Sequence, residues 1–270
     1  MTTSENVGAR PSGRAPAAPE RTPLLSLKGI EKHFGPVQAL RDINLDIYPG
    51  EVTALVGDNG AGKSTTIKTI SGILTPDAGH VYWEGKEVHI RGPRDAAALG
   101  IATMYQDLAL ADNLDIVQNM FLGRERLRAG LLDEASMEIA ARQTLTDLKV
   151  TTVRSIRQPV GSLSGGQRQA VAVARAVLED AKLVIMDEPT AALGVTQTQI
   201  VLDLVKTLRE GGVAVLLISH NLVDVFAVAD HIAALYLGHI VSVSPADQLD
   251  TQRAVELITT GALSNGKDQP

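Results

Sequence analysis

Residues 57–65 combine the residue types that proteins use to hold phosphate groups. The run reads Gly-Asp-Asn-Gly-Ala-Gly-Lys-Ser-Thr and follows an apolar, strand-like segment, Val52–Val56. Its glycines let successive backbone N–H groups, and the start of the helix that follows, point at the β- and γ-phosphates of a nucleotide. Lys63 adds a positive charge there, and Ser64 supplies the hydroxyl that such loops give to Mg²⁺. This order and spacing predict a P-loop, with nucleotide contacts from Gly57, Asn59, Gly60, Ala61, Gly62, Lys63, Ser64 and Thr65.

Two adjacent carboxylates end a second apolar run. Leu183–Met186 has the pattern of a buried strand, and Asp187 and Glu188 follow it. A strand end beside a P-loop is where a nucleotide site needs a metal ligand and a group that handles water. We therefore assign Asp187 to Mg²⁺, directly or through water, and Glu188 to the orientation or deprotonation of the attacking water. Read alone, such a pair is as often a helix cap or a solvated turn.

A Gly-rich segment opens a further helix. Residues 163–169 read LSGGQRQ, and we predict that the helix begins near Gln167. Ser164, Gly165 and Gly166 then present a hydroxyl and free N–H groups at a helix N-terminus, which is a second anion site. Because one nucleotide has a single γ-phosphate, this site is best explained if it serves the nucleotide of a neighbouring molecule. We expect a head-to-tail dimer, while a simple Gly-rich N-cap is the alternative.

His220 comes after another strand-like run, Val213–Ser219, and so lies at the same edge of the sheet as the two carboxylates. It could contact the γ-phosphate, or it could be an ordinary surface or core histidine. The other five of the six histidines show no metal-ligand spacing.

The composition excludes several classes of protein. The net charge of −6 and the aromatic content of 3% argue against a nucleic-acid partner. The absence of cysteine excludes disulfides, thiolate chemistry and cysteine-bound zinc. No apolar run approaches the roughly 18 residues of a membrane-spanning helix. Residues 1–23 contain four of the twelve prolines and lack the apolar core of a signal peptide, so we expect a disordered tail.

The order of the elements predicts an α/β fold. Short strand-like runs dominate the N-terminal part, including a hairpin around Glu84-Gly85. Strand signals fade between about residues 112 and 159, where helical spacing behind an Asp133 cap predicts a helical insertion. Strands then alternate with helices, which implies a parallel sheet. No internal repeat and no second Gly-rich motif is found, so the chain has sequence for one nucleotide site.

Taken together, GDNGAGKST, LSGGQRQ, LVIMDEPT and ISH, in this order, resemble the ATP-binding subunits of ABC transporters. The phrases MFLGRE and DEPTAALGV are most similar to bacterial sugar importers of the ribose and fructose type. The resemblance covers residues 24–261 as a single domain, with tails at 1–23 and 262–270. It implies a P-loop NTPase core with a mostly parallel sheet, an N-terminal antiparallel β-subdomain and an inserted α-helical subdomain at approximately 107–165.

The resemblance also assigns roles to individual residues. ATP and Mg²⁺ are the implied cofactors, and the signature residues Ser164, Gly165, Gly166 and Gln167 would close over the partner's γ-phosphate. Gln106 matches a glutamine that senses the metal and the γ-phosphate; without the family it is a plain loop residue. Phe34 matches the aromatic that stacks on adenine, with a place in the core of the β-subdomain as its alternative. His220 matches a switch histidine. The implied catalytic set is therefore Glu188, His220, Gln106 and Lys63, and the metal set is Ser64, Gln106 and Asp187.

The same resemblance implies partners. They are a second ATPase subunit, an integral membrane permease contacted near the helical subdomain, and, indirectly, an extracytoplasmic solute-binding protein. The chain would sit at the cytoplasmic face of the membrane as a peripheral subunit. The basic stretch Arg124–Arg128 could approach the permease or lipid head groups, or be a solvated face.

One position departs from the family pattern. Gly194 stands where these subunits usually carry an Asp that couples the two sites across the dimer, so this coupling is open. Three other functions share some of the motifs. A soluble ABC-type ATPase of DNA maintenance would have a long coiled-coil insertion, whereas Lys63 and Ser164 are only 164 − 63 = 101 residues apart. A translation factor would have two cassettes, and a regulatory ATP-binding protein would not need Glu188.

Overall fold

The computed structural model describes residues 21–105, 107–178 and 180–262. Its N-terminal part contains an antiparallel sheet in the order β2-β1-β4-β5. The strands are β1 (Leu25–Phe34), β2 (Val37–Ile47), β4 (Ala78–Trp83) and β5 (Lys86–Val88). The predicted hairpin around Glu84-Gly85 is confirmed as the β4–β5 turn, in which both residues have positive φ.

A second sheet of the described residues has six strands in the order β12-β11-β3-β10-β9-β6. They are β3 (Val52–Gly57), β6 (Ile101–Met104), β9 (Leu183–Asp187), β10 (Ala214–Ile218), β11 (His231–Tyr236) and β12 (His239–Pro245). All neighbouring pairs are parallel except β11–β12, which is an antiparallel hairpin. The predicted mostly parallel sheet is confirmed. Because β3, β9 and β10 run the same way, their carboxyl ends meet at one edge.

Alternate residues of β10 face two different cores. On β10, Leu216 and Ile218 belong to the core shared with the antiparallel sheet, while Val215 and Leu217 belong to the core shared with the long helices. Burial on both faces explains why β9 and β10 are continuous apolar runs rather than alternating ones. The helices are α1 (Lys63–Ile70), α2 (Pro93–Ala98), α3 (Ile116–Phe121), α4 (Glu134–Asp147), α5 (Gly165–Leu178), α6 (Val195–Glu210), α7 (Leu222–Val228) and α8 (Thr251–Thr260).

The inserted segment is helical, with α3 and α4, but it also contains a small hairpin. Strands β7 (Leu127–Arg128) and β8 (Leu131–Leu132) pair antiparallel where the sequence predicted no strand. Strands this short leave no readable alternation, since a period of two needs several residues to show. The predicted cap of α4 is confirmed, because the carboxylate of Asp133 accepts a hydrogen bond from Ser136 N at 3.2 Å.

Helix α5 begins at Gly165, two residues before the predicted start near Gln167. Glycines disfavour helix interiors, but in the first turn their N–H groups have no intrahelical partner to lose. Within the described residues, none of the helices combines the length and the apolar character needed to cross a bilayer.

Candidate nucleotide site

The predicted P-loop joins β3 to α1. Gly62 precedes the helix with a φ of 113°, and a Cβ at this position would lie 2.9 Å from the carbonyl oxygen of Ala39 on β2. Both the backbone angle and this contact require glycine. Lys63 Nζ donates to the carbonyl oxygens of Gly57 and Asp58 at 2.7 and 3.0 Å, so its charge is held over the loop.

A cavity of about 290 Å³ opens at the carboxyl edge of the parallel sheet. It brings together predicted residues from the P-loop and from the end of β9. Its lining residues are Ala39, Asn59, Gly60, Gly62, Lys63, Ser64, Thr65, Asp187 and Glu188. Gly57 and Ala61 are absent from this lining: a Cβ on Gly57 would lie 2.5 Å from Leu235 O, and the Ala61 side chain is buried. Ala39 was not predicted, since no motif marks a small residue on a remote strand.

Asp187 and Glu188 occupy the end of β9 as predicted. Glu188 has a φ of 52°, and its N–H donates to Ile218 O at 2.9 Å, which fixes this left-handed residue to the end of β10. Strain of this kind in a non-glycine residue concentrates at functional sites. Burial, and then the charge of Glu188, raise the pKa of Asp187, whereas the nearby lysines, Lys63 and Lys68, lower it.

His220 contacts Glu188 directly. Its Nδ1 lies 2.7 Å from Glu188 Oε2, and its backbone N–H donates to the same oxygen at 3.4 Å. An ionised carboxylate only accepts hydrogen bonds, so the tautomer of His220 that fits this contact is the one with the proton on Nδ1. The ring is largely exposed, while the carboxylate is mostly buried. The alternative of a core histidine is therefore wrong, and the carboxylate has a fixed orientation.

The oxygen groups at this cavity fit Mg²⁺. No group of three or more His, Cys, Asp or Glu side chains in the described part of the chain could hold a metal alone. Mg²⁺ instead takes one or two protein oxygens and completes its shell with water and substrate phosphates. Ser64 and Asp187 line one cavity, and a carboxyl group whose ionised form is disfavoured by burial gains from a cation.

The signature residues do not line this cavity. Ser164 is the N-cap of α5: its Oγ accepts from Gln167 N at 3.4 Å, and its own N–H donates to Gln167 Oε1 at 2.9 Å. The Gln167 amide also donates to Thr152 O at 2.6 Å. Gln167 thus holds the loop in its own chain. Beneath it, Cβ atoms on Gly165 and Gly166 would meet Leu193 Cδ2 at 2.5 Å and Gln197 O at 3.2 Å.

Phe34 is not among the residues that line the cavity. Phe34 lies at the end of β1, where its side chain is 48% exposed, so its alternative role in the core of the β-subdomain is wrong. Gln106 lies outside the described residues.

The profile of the ABC transporter family matches residues 40–191. This chain belongs to the ABC transporter family. The fructose import ATP-binding protein of Rhizobium meliloti is 49% identical over 233 residues, which cover 83% of this chain and 90% of that protein. The xylose/arabinose import ATP-binding protein of Sulfolobus acidocaldarius is 45% identical over 240 residues, which cover 89% of this chain and 95% of that protein. A ribose import ATP-binding protein of Streptomyces avermitilis is 42% identical over 88% of this chain but 46% of its own length.

Solved ABC cassettes share the fold. An ATP-binding cassette of an ABC transporter in its ADP conformation aligns with a TM-score of 0.74 at 26% identity, covering 88% of this chain and 95% of that one. A dimeric cassette in a post-hydrolysis state, bound to ADP and Pi, aligns with a TM-score of 0.68 at 25% identity, covering 82% and 98%. The predicted P-loop NTPase fold is confirmed by these neighbours.

Proposed function

We propose that this chain is the ATP-hydrolysing subunit of an importer, and that it dimerises on ATP and drives uptake of a monosaccharide through a separate membrane permease. The cavity in which the P-loop faces Asp187 and Glu188 carries the proposal. Its residues supply a cationic phosphate site and a carboxylate at the point where water must attack.

The residues divide the reaction between them. Lys63 and the N–H groups of the first turn of α1 bind the β- and γ-phosphates. Glu188 orients the attacking water and accepts its proton. His220 keeps Glu188 in place through the 2.7 Å contact. Ser64 and Asp187 would hold Mg²⁺, which would neutralise phosphate charge. Gln106 and Phe34 complete the site as the family pattern assigns them.

A second copy completes each site. Ser164 and the glycines after it lie outside the cavity of their own chain. The Ser164 Oγ accepts from Gln167 N but keeps its own proton to donate, and N–H groups of a first helical turn have no intrahelical partner, so we assign both to the γ-phosphate of a partner. ATP then bridges two subunits, and hydrolysis removes the bridge. This cycle of closing and opening moves the permease, which holds the chain as a peripheral subunit at the cytoplasmic face of the membrane. A solute-binding protein on the other side delivers the cargo.

The cargo class rests on the relatives. Those named above are import proteins for fructose, xylose or arabinose, and ribose, and the first two are covered almost end to end. These names favour a monosaccharide over the alternative of a soluble ABC-type ATPase unconnected with transport.

Replacing Glu188 with glutamine tests both the proposed ATP hydrolysis and the proposed ATP-dependent dimer. Glu188→Gln keeps the shape of the side chain and its contact with His220 but cannot accept a proton. We expect steady-state ATP hydrolysis to fall by about 10²- to 10⁴-fold, while light scattering shows a lasting dimer in ATP. Sedimentation equilibrium of this variant with and without ATP measures the dimer directly.

Glu87→Gln is the control, because Glu87 is an exposed carboxylate on β5; it should hydrolyse ATP like the wild type. A Glu188→Gln protein that stays monomeric with nucleotide bound would contradict the dimer. Full hydrolysis by that variant would contradict the role of Glu188.

A further inference from the structure

The small hairpin of the inserted segment forms a two-stranded sheet of its own, separate from the two larger sheets. We name residues 122–132 the leucine hairpin. Its two strands, β7 and β8, are joined by Ala129 and Gly130, which have φ angles of 53° and 82°. Two successive positive φ values are the signature of the tight type I′ turn. The hairpin is therefore a defined projection and not an irregular loop.

The hairpin exposes leucine on both of its faces. Leu127 pairs across the strands with Leu132, and Arg128 pairs with Leu131, so the two pairs point to opposite sides. The side chains of Leu127, Leu131 and Leu132 are 66%, 76% and 55% exposed. A strand pair that packs on its own protein normally buries one face and leaves the other polar. Here the face with Leu131 is open, and Leu132, which lines a cavity of about 190 Å³ with Phe121 and Met137, is still more than half exposed.

The hairpin is also basic in an acidic protein. Residues 122–132 contain three arginines and one glutamate, whereas the whole chain has a net charge of −6. The one carboxylate of the hairpin, Glu125, makes a local hydrogen bond, because its Oε1 accepts from Gly123 N at 2.9 Å. The Arg126 guanidinium lies 5.2 Å from the centre of the Phe121 ring, which places its charge at the base of the projection.

We propose that the leucine hairpin inserts into the interface of an anionic lipid bilayer. A protein groove would cover one face, whereas the interface of a bilayer surrounds a projection on every side. Each strand has two residues, which is about 7 Å of length, and interfacial segments enter a bilayer to roughly 5–10 Å. Arg126 at the base, and Arg128 beside the turn, whose long side chain can reach back to the level of the head groups, would then meet the anionic lipids. This contact goes beyond the proposed function, because it needs no permease.

Flotation of the full chain with lipid vesicles tests the proposal. The vesicles are phosphatidylcholine alone, or phosphatidylcholine with about one third phosphatidylglycerol. We expect the chain to float with the anionic vesicles only, and less at high salt. The double variant Leu127→Ser/Leu131→Ser and the single variant Arg128→Glu should each lower the partition coefficient by about tenfold. All of these positions are exposed, so the fold does not depend on them.

Two control variants make the same types of substitution at exposed positions outside the leucine hairpin. Leu237→Ser removes an exposed leucine from the β11–β12 turn, and Arg94→Glu makes the same charge change on α2; both should float like the wild type. Absence of wild-type chain from the anionic fraction would overturn the proposal, as would equal losses in the controls. Loss of permease co-purification in the hairpin variants, without vesicle binding by the wild type, would overturn it in favour of a protein contact. ATP hydrolysis without lipid should be unchanged in the hairpin variants, so it reports on the proposed function separately.

Discussion

Glu188 carries backbone strain, and its neighbours hold that strain in place. A non-glycine residue at a φ of 52° costs of the order of 1 kcal/mol, and it persists when surrounding contacts over-determine it. Those contacts are the bond from its N–H to Ile218 O and the ring of His220. His220 is thus a positioning residue for the carboxylate.

Replacing His220 with alanine should remove the contact that orients the Glu188 carboxylate while keeping the carboxylate itself. We expect kcat for ATP hydrolysis to fall by about ten- to a hundredfold, while the affinity for ATP changes little, because the ring does not line the cavity. His220→Gln, which can still donate to the carboxylate, should recover part of the rate. Equal loss in both variants would contradict a positioning role. Rates and nucleotide titrations on the same samples separate kcat from binding.

The ionised form of Asp187, which the proposed reaction needs, should lower the stability of the folded chain. Its pKa is raised by burial and by Glu188, so the folded chain binds this proton more tightly than the unfolded chain does. Stability is therefore lost as the pH rises from the ordinary Asp pKa to the raised one. At neutral pH, Asp187→Asn should raise Tm of the metal-free, nucleotide-free protein by about 2 °C and abolish ATP hydrolysis.

The gain in Tm should shrink as the pH is lowered towards the ordinary Asp pKa of about 4, because both states are then protonated. Asp247→Asn, at an exposed position, should leave Tm unchanged at every pH. A lower Tm for Asp187→Asn at neutral pH would contradict this account. Differential scanning calorimetry from neutral to acid pH makes the measurement.

At the scale of elements, the start of α5 is fitted against the turn before α6. A Cβ on Gly165 would meet Leu193 Cδ2 at 2.5 Å and Gln197 Oε1 at 3.3 Å, so Gly165→Ala must turn the ends of these two side chains aside at the start of the signature loop. We expect ATP hydrolysis to fall by about ten- to a hundredfold. Binding of a fluorescent ATP analogue should be retained, because Gly165 lies outside the cavity.

Gly194 provides a matched control for that change. It is the N-cap of α6 with an ordinary φ of −74°, and a Cβ at this position would have no other atom within 4 Å. Gly194→Ser is therefore tolerated and even supplies a capping hydroxyl. Weakened nucleotide binding in Gly165→Ala would indicate a general disturbance instead of a local one.

Sequence reasoning found the elements where a local signal exists. The P-loop is recognisable by its fixed spacing. The strands before Asp187 and His220 are continuous apolar runs, and because parallel strands end at the same edge of a sheet, the two residues were expected to lie close together. Leu193 and Ala39 were missed because their importance comes from tertiary contact with distant glycines. The leucine hairpin was missed because two residues per strand carry no periodic signal.

At the scale of the whole molecule, the proposed dimer divides each ATP site between two chains. The cavity gathers the P-loop with Asp187 and Glu188, whereas the signature loop is fixed elsewhere by its own cap. A head-to-tail pair of chains would therefore make two composite sites. By the family pattern, Gly194 stands where an acidic residue would couple them, and as the N-cap of α6 it makes no side-chain hydrogen bond. The two sites should then work independently.

Mixing two inactive variants tests this arrangement. Lys63→Ala removes the phosphate-binding charge, and Ser164→Glu places a negative charge on the signature loop, so each alone should be inactive. In a mixed dimer both defects fall in one composite site and leave the other intact. Half of the dimers in an equal mixture are mixed, so independent sites should regain about one quarter of wild-type hydrolysis. No regain in dimers shown to be mixed would mean that the sites are coupled without an acid at Gly194. Full activity of Ser164→Glu alone would mean that the signature loop does not serve a partner.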